Sequence, residues 1–514
     1  MKRDMLCSRT VCLPSVLVGI SLLGGMLLAG CVPTQNTRTA QHPGQAGGVQ
    51  QTQVYHAGYS KKYLPVRQCL ADGKTDEVQK LLDEEEKKIQ ETAKTEDELV
   101  NKLRLVGLME RASLSLQTGN TESAIKYCNL GQEVIEKLDS ESYVSGGVGA
   151  FGSWLSKSMG AGESARYVAP GYEKVLLLDI ASMAYLLEGN DKSYNVARLA
   201  VQWQDEEKQR FEKNLQKVEL EKSKGVTNTT GQQRERATED AFLREFSKYD
   251  NIALTVPNAF VNPFGDYITG MVNEFKSIEQ KSLLSNAHIA YKQALELKPD
   301  SRVLQQAVKD TKERKSANRL IHIVAMDGFV PEKQVMSIPV DQDLDVELPT
   351  SIPIPSRVSS IKVFNDKGKE LAQLTPIANI DALALRYQKD CLPGMLFTVF
   401  TTVLRDSAIV GFGDALMPGL GRLFKDATDS AMEPDTTHWM SLPSTVLGAR
   451  IYPKKGVRTL LVRSYDVSGK QLAQKKISLS EGDRHFVLVR SIDTTMYAYP
   501  SKKIWSNNSL TLNQ

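Results

Sequence analysis

The 514-residue chain has little histidine and little cysteine, six of each. Two of the histidines, His42 and His56, fall in a polar segment near the N-terminus, so groups suited to proton transfer near neutral pH are scarce in the rest. The cysteines are Cys7, Cys12, Cys31, Cys69, Cys128 and Cys391. None stand in CxxC spacing, which excludes the usual zinc ligand pattern and gives no disulfide framework. Also missing are the phosphate-cradling GxxxxGK[ST], the zinc-binding HExxH and the GxSxG nucleophile elbow. Neither charge sign is in excess. Lys and Arg number 64 against 61 Asp and Glu, interspersed along the chain, so there is no electrostatic footprint for nucleic acid. No motif calls for a cofactor or a metal, and the chain is not expected to be an enzyme.

What is present begins at the N-terminus. Lys2, Arg3 and Arg9 form a positive region, residues 11–28 are apolar, and Leu28-Ala29-Gly30-Cys31 follows. This resembles the bacterial lipobox, in which small residues precede a cysteine that is diacylated on its thiol and becomes the new N-terminus after cleavage between Gly30 and Cys31. An uncleaved anchor is the alternative, since 18 mostly apolar residues approach the ~20 needed to span a bilayer. Pro14, the glycines and the small-small-Cys ending argue against it. Several acyl chains give stable attachment, and Val32 after the cysteine, where Asp would retain the protein in the inner membrane, favours the outer membrane by the same resemblance. The expected location is therefore the cell envelope, facing the periplasm. Cys69, Cys128 and Cys391 then remain in the mature chain and read as buried helical thiols.

The composition, 41% hydrophobic and 24% charged, is that of a globular protein with several domains. Residues 1–30 are assigned to the signal peptide and 31–58 to the lipidated cysteine and a Pro-, Gly- and Gln-bearing tether with a reach on the order of 30 Å. Residues 59–315 carry helical periodicity with a recurring turn glycine: Gly73 before Val78, Gly119 before Ala124, Gly189 before Tyr194. In NAHIAYKQALELKPDS, Ala287, Tyr291 and Ala294 lie at helix-packing spacing and Pro299 closes the helix. Glycine permits the tight turn and small residues let antiparallel helices approach, as in tetratricopeptide (TPR) repeats.

From residue 316 to 500 the period shifts towards 2. Strands are expected at 320–330, 357–366, 445–453, 457–466, 470–479 and 484–493. The hairpins 363–373 and 464–474 share Gly-Lys-x-Leu-Ala-Gln at an offset of 101, with Gly368 and Gly469 in the turns. The expected class is α+β: an all-α TPR-like repeat domain, then a β-sandwich-like domain with a helical insertion at about 380–432 and a tail at 501–514.

Four motifs in order, Gly171-Tyr-Glu-Lys-Val-Leu176, Tyr291-Lys-Gln-Ala-Leu-Glu-Leu-Lys-Pro299, Asp327-Gly-Phe-Val-Pro-Glu-Lys333 and Asp435-Thr-Thr-His-Trp-Met-Ser-Leu-Pro443, resemble an uncharacterised family of bacterial lipoproteins with TPR-like repeats. The resemblance implies architecture and envelope location, and it brings no catalytic residues. Asp435 and His438, three apart, lack a third ligand or a nucleophile and are read as an Asp-capped turn anchored by Trp439. The leading functional expectation is a non-catalytic scaffold that binds an envelope protein. Alternatives are a structural or oligomeric subunit whose Gly-rich segments (142–162 and 409–423) touch lipid, and a cryptic hydrolase with a site between the helical and β parts.

Overall fold

A computed structural model of the chain describes residues 52–502, apart from 145–166, 168, 224–238, 261, 314–318, 342–343, 404–433, 455–456 and 481. The described residues hold eleven α-helices and twelve strands in three sheets, a mixed α+β architecture with most helices first and most strands last.

The first helices come in pairs: α1 (Gly58–Ala71) with α2 (Thr75–Gln90), α3 (Glu96–Gln117) with α4 (Thr121–Val144), and α5 (Gly171–Glu188) with α6 (Lys192–Ser223). The three turns between partners are built alike. Gly73, Gly119 and Gly189 are left-handed at φ 83°, 84° and 67°, the conformation that ends a helix without a Cβ penalty. The amide after each glycine then reaches a carbonyl five residues back: Lys74 to Cys69 at 2.9 Å, Asn120 to Ser115 at 2.8 Å, Asn190 to Tyr185 at 2.8 Å. Ala124 and Cys128, on the α4 face turned to α5, are buried, which lets the helices approach closely. After α7 (Asp250–Ala253), α8 (Pro263–Lys276) pairs with α9 (Leu283–Leu297), and α10 (Arg302–Lys312) completes the run. Ala287, Tyr291 and Ala294 form the buried stripe of α9, and Gly270 of α8 leaves room for the Tyr291 ring, which would lie 2.6 Å from any Cβ there. Helix α9 ends at Leu297, just before Pro299.

The strands are β1 (Gln53–Tyr55), β2 (Leu320–Asp327), β3 (Glu332–Asp341), β4 (Leu344–Ile352), β5 (Ser360–Asn365), β6 (Glu370–Gln373), β7 (Thr375–Asn379), β8 (Thr445–Ile451), β9 (Thr459–Tyr465), β10 (Gln471–Ser478), β11 (Arg484–Ile492) and β12 (Thr495–Pro500). The sheet orders are β1-β3-β4, β10-β9-β5-β6 and β12-β11-β2-β8-β7, with β2 and β11 parallel. Both β2 and β11 are buried along their whole length because each face of their sheet is covered. Val324, Met326, Phe486 and Leu488 join a cluster with the helices. The alternate residues Ile321, Ile323, Val487 and Val489 join a second cluster with Ile361, Val363, Leu460 and Val462 of the four-stranded sheet. Helices, the five-stranded sheet and the four-stranded sheet thus form three layers.

The paired hairpins repeat one another atom for atom at the turn. Asn365 Oδ1 accepts from the amides of Lys367 and Lys369, and Asp466 Oδ1 from those of Ser468 and Lys470. Gly368 and Gly469 follow at φ 76° and 82°. Strands β5 and β9 lie side by side, so the two hairpins share one sheet.

Three expectations are modified. Residues 53–58 belong to the folded body and not to the tether: β1 pairs with the edge of β3, Val54 opposite Met336, and α1 starts at Gly58. The boundary near 315 is a change of secondary structure inside one compact unit, Gln50–Gln514, because the helices bury their apolar faces on the sheet. The helical insertion begins as α11 (Ile380–Val403); its remainder, with residues 409–423, and the glycine-rich residues 145–162 lie outside the described residues.

Candidate functional site

Three places gather polar chemistry. The first is a seam where three of the four motifs meet. Residues 435–444 run as an irregular segment, with a turn at 440–441, between the helices and the five-stranded sheet, with Trp439 fully buried and its Nε1 donating to Ser441 Oγ at 3.1 Å. Belonging to no strand, the segment is held by side chains along its length and by backbone bonds towards its C-terminal end. Glu110 of α3 accepts the amides of Met440 at 2.6 Å and Ser441 at 3.1 Å. Gln117 donates to the Ser441 carbonyl at 2.8 Å, and Thr436 Oγ1 donates to the Ala57 carbonyl at 2.7 Å. Val330 and Ser444 tie the segment to the 327–333 motif through Val330 N to Leu442 O and Ser444 N to Asp327 O. Glu173, from the first motif, accepts from Tyr167 and Tyr172 beneath it.

Burial dominates the electrostatics of the seam. It pushes Glu110 up to about 8 despite the amides it accepts, and raises Glu173 as well. His438 is pushed down to about 3 by burial, helped by the Lys333 charge and opposed by the Thr436 carbonyl. Its Nδ1 donates to that carbonyl at 2.9 Å and its Nε2 accepts the Lys333 amide at 3.4 Å, so both ring nitrogens are occupied by backbone. Asp435 caps the Thr437 amide at 2.9 Å and does not meet the imidazole through this bond.

The second place is a buried network around Arg450 of β8. Its guanidinium grips Glu274 of α8 bidentately, at 2.5 and 2.7 Å. Tyr291 donates to the same carboxylate at 2.8 Å, and His322 Nε2 lies 3.1 Å away. Burial would raise Glu274, but the Arg450 charge outweighs it and holds the carboxyl well below its usual range. His322 is pushed down to about 4, first by burial. Tyr452 and Asp310 of α10 close the network. Three helices are thereby fastened to two strands.

The third place is an open cleft of about 490 Å³ between the C-terminal half of α1 and the chain at Gly328–Phe329, 354–356 and 492–493. It lies at the C-terminal ends of the parallel strands β2 and β11, the position where ligands commonly enter α/β sheets. Its walls include Pro65, Phe329, Ile354, Pro355 and Ile492. Arg67 and Arg490 both stack on Phe329, 5.0 and 4.9 Å from the ring centroid. Arg67 Nη2 donates to Glu332 at 3.0 Å, whereas its Nη1 has no protein partner. Arg490 is fully buried and donates only to neutral acceptors, Gln117 Oε1 and the carbonyls of Met326, Gly328 and Ser491. Burial lowers it to about 10.

The residues singled out from sequence fall into two groups. Gly119 is brought together with Gly73 along β12 and Gly189 closes the turn beside Leu187, which accepts from Lys502 just past that strand, while Ala124, Ala287, Tyr291 and Ala294 pack helices, Tyr291 also serving the Arg450 network. Gly30 and Cys31 lie outside the described residues. Cys69 is half-buried, and Cys128 and Cys391 are buried, each on a helix. Glu110, Glu274, Arg450 and Arg490 had no sequence signal beyond a charge in an apolar context. Among the described residues no group of three His, Cys, Asp or Glu is placed to hold a metal, and no helix is long and apolar enough to cross a membrane. No protein-family model, curated protein or solved structure matches the chain.

Proposed function

We propose that the protein is an outer-membrane lipoprotein, attached through Cys31 and facing the periplasm, that binds an envelope protein without catalysing a reaction. The lipobox and the membership in a family of TPR-like lipoproteins suggested by the four motifs support this reading. The identical turns at Gly73, Gly119 and Gly189 support a degenerate TPR-like repeat, and the apolar cluster shared by the two larger sheets supports a sandwich-like β part.

The observation that carries the binding assignment is the open cleft beside α1. The inner face of the helices, where a repeat array would hold a partner, is filled by the chain's own residues 435–444. Partner recognition therefore falls to the outside of the body, where the cleft offers apolar walls and an arginine. Cross-linking in intact cells followed by mass spectrometry, with wild type compared with Cys31→Ser, tests this. An envelope protein enriched with wild type and depleted with the variant is expected; no enrichment over background would overturn the binding role.

A further inference from the structure

We propose that the outer face of the four-stranded sheet β10-β9-β5-β6 is a docking surface for an anionic lipid bilayer. Residues 357–374 and 457–479, which form this sheet and its turns, hold nine of the chain's 64 Lys and Arg residues and only three of its 61 Asp and Glu. Along the sequence these charges are interspersed. The fold gathers them, because the two like hairpins at an offset of 101 lie side by side in one sheet. Ile361, Val363, Leu460 and Val462 are buried on its inner face, so the residues alternating with them face outward. Among the described residues no helix packs substantially on β5, β6, β9 or β10, whose neighbours outside their own sheet are β8 and β12.

The placement of the cations is unfavourable in the free protein. Lys362 of β5 stands directly opposite Arg463 of β9, and like charges in that position repel across a pair of strands. Each turns to a neighbour, Lys362 to Glu370 at 3.1 Å and Arg463 to Gln474 at 2.7 Å. Lys367, Lys369, Lys470, Lys475 and Lys476 make no ion pair among the described residues. Lysines on an edge strand such as β10 guard against strand pairing, but β5 and β9 are the two inner strands, where that reason does not apply. Apolar groups then separate a bilayer from a soluble polyanion. Leu461 and Tyr465 are half-buried on the outer face of β9, and Val467, in the turn that follows, is 93% exposed. Asp466 beside it is occupied by the amides of Ser468 and Lys470. An exposed aliphatic tip among lysines suits a headgroup layer, with the side chain at the acyl boundary and the cations on lipid phosphates; a nucleic acid offers Val467 no apolar surroundings. The surface belongs to the fold and does not depend on Cys31, although residues 32–52, with an extended reach of about 70 Å, would let the anchor proposed above bring a bilayer to it.

The test adds the full-length protein to vesicles of phosphatidylcholine alone or with about 30% phosphatidylglycerol. An NBD label is placed through Val467→Cys or, for comparison, through Ile289→Cys in the helical layer, where Ile289 is 56% exposed. Both carry Cys69→Ser, and Cys128 and Cys391 are buried. Quenching by lipids with a nitroxide headgroup reports the docked fraction. Quenching at 467 is expected on the anionic vesicles only and at 289 on neither, and about 0.5 M salt should abolish it. Each Lys or Arg held at an anionic surface is worth about fivefold in partition, so Lys470→Glu combined with Lys476→Glu should lower docking at least about 25-fold. Both lysines are exposed, and the melt is checked; if that protein does not fold cooperatively, Lys367→Glu with Lys369→Glu should give the same loss. Equal quenching at both positions, equal quenching on neutral vesicles, an unaltered signal from a folded charge-reversed protein, or an equal fluorescence response to polyglutamate or an oligonucleotide would each overturn the assignment. Flotation is scored separately: protein that fails to float with neutral vesicles lacks the Cys31 anchor, while the 467 signal on anionic vesicles still reads the face.

Discussion

Gly119 shows how much one position carries. It is left-handed at φ 84°, and a Cβ on it would overlap the Tyr499 ring. Gly119→Ala therefore combines backbone strain with a clash, and a loss of about 2–3 kcal/mol is expected in denaturant unfolding. Gly368, at φ 76° with nothing within 4 Å of its would-be Cβ, carries only the backbone part, so Gly368→Ala should cost about 1 kcal/mol. Both glycines were legible in the sequence because a positive φ between two patterned segments is a local requirement. Glu110 was not. It stands between Met109 and Arg111 in an apolar helix, and its partners Met440 and Ser441 lie some 330 residues away, so nothing near it in sequence distinguishes a buried carboxyl from an exposed one.

Glu110 also makes a pH dependence. Its pKa rises from 4.5 to about 8 on folding, so between those values the folded protein keeps a proton that the unfolded chain has released. Its contribution to stability is thus present below pH 4.5 and is lost as pH rises to about 8, with a slope of at most about 1.4 kcal/mol per pH unit. Other groups titrate in the same range, Asp266 and Asp381 being raised to about 7. The difference between wild type and Glu110→Gln isolates the Glu110 part. Melting temperatures from pH 5 to 9 should fall less steeply for the variant; parallel curves would mean that Glu110 is not protonated in the folded protein.

At the scale of elements, β12 acts as a measure laid across the helix ends. Thr495 Oγ1 donates to the Ala71 carbonyl at 2.6 Å, Tyr499 Oη to that of Gln117 at 3.2 Å, and the Lys502 amide to that of Leu187 at 2.7 Å. Each acceptor stands two residues before the turn glycine of its helix pair. Steps of four and three residues along an extended chain cover roughly 13 and 10 Å; the shorter step matches the roughly 8–10 Å between packed helix axes, as α3 and α5 are, and the longer one spans α1 to α3, which both pack on α2. Equivalent carbonyls left over at three helix ends are therefore satisfied by one stretch of chain, two by β12 and the third by Lys502 just beyond its end. Tyr499→Phe should cost about 1 kcal/mol by leaving the Gln117 carbonyl without this donor, measured by chemical denaturation. The helix pairs and six of the strands were legible from period and turn residues. Strands β3 and β4 were not: Pro339 and Pro349 interrupt the alternating pattern, although both strands lie in a small sheet where a missing amide is tolerated. β12 was missed because it is a short edge strand whose purpose is tertiary.

For the whole molecule, the governing fact is that helices and sheet share a core. Val324, Met326, Ile377, Trp439, Leu442, Val446, Phe486 and Leu488 belong to one apolar cluster with residues of α3 to α6 and α8 to α10. Sequence periodicity places a boundary near 315 correctly as a change of pattern, but it cannot say which face of a helix meets which face of a strand, and so it suggests two domains. Burying one such apolar side chain contributes about 1.5–3 kcal/mol, so eight amount to more than about 10 kcal/mol, the scale of an entire domain's stability of about 5–15 kcal/mol. Arg450 adds to the linkage by holding Glu274 and lying within hydrogen-bond range of His322. Residues 59–315 expressed alone should accordingly stay helical by circular dichroism yet bind a hydrophobic dye and melt without a cooperative transition. Co-expression with residues 316–502 should restore a soluble one-to-one complex with a single melt. A sharp, dye-free melt of the helical fragment by itself would show that the helices carry their own core, and would return the chain to two independent domains.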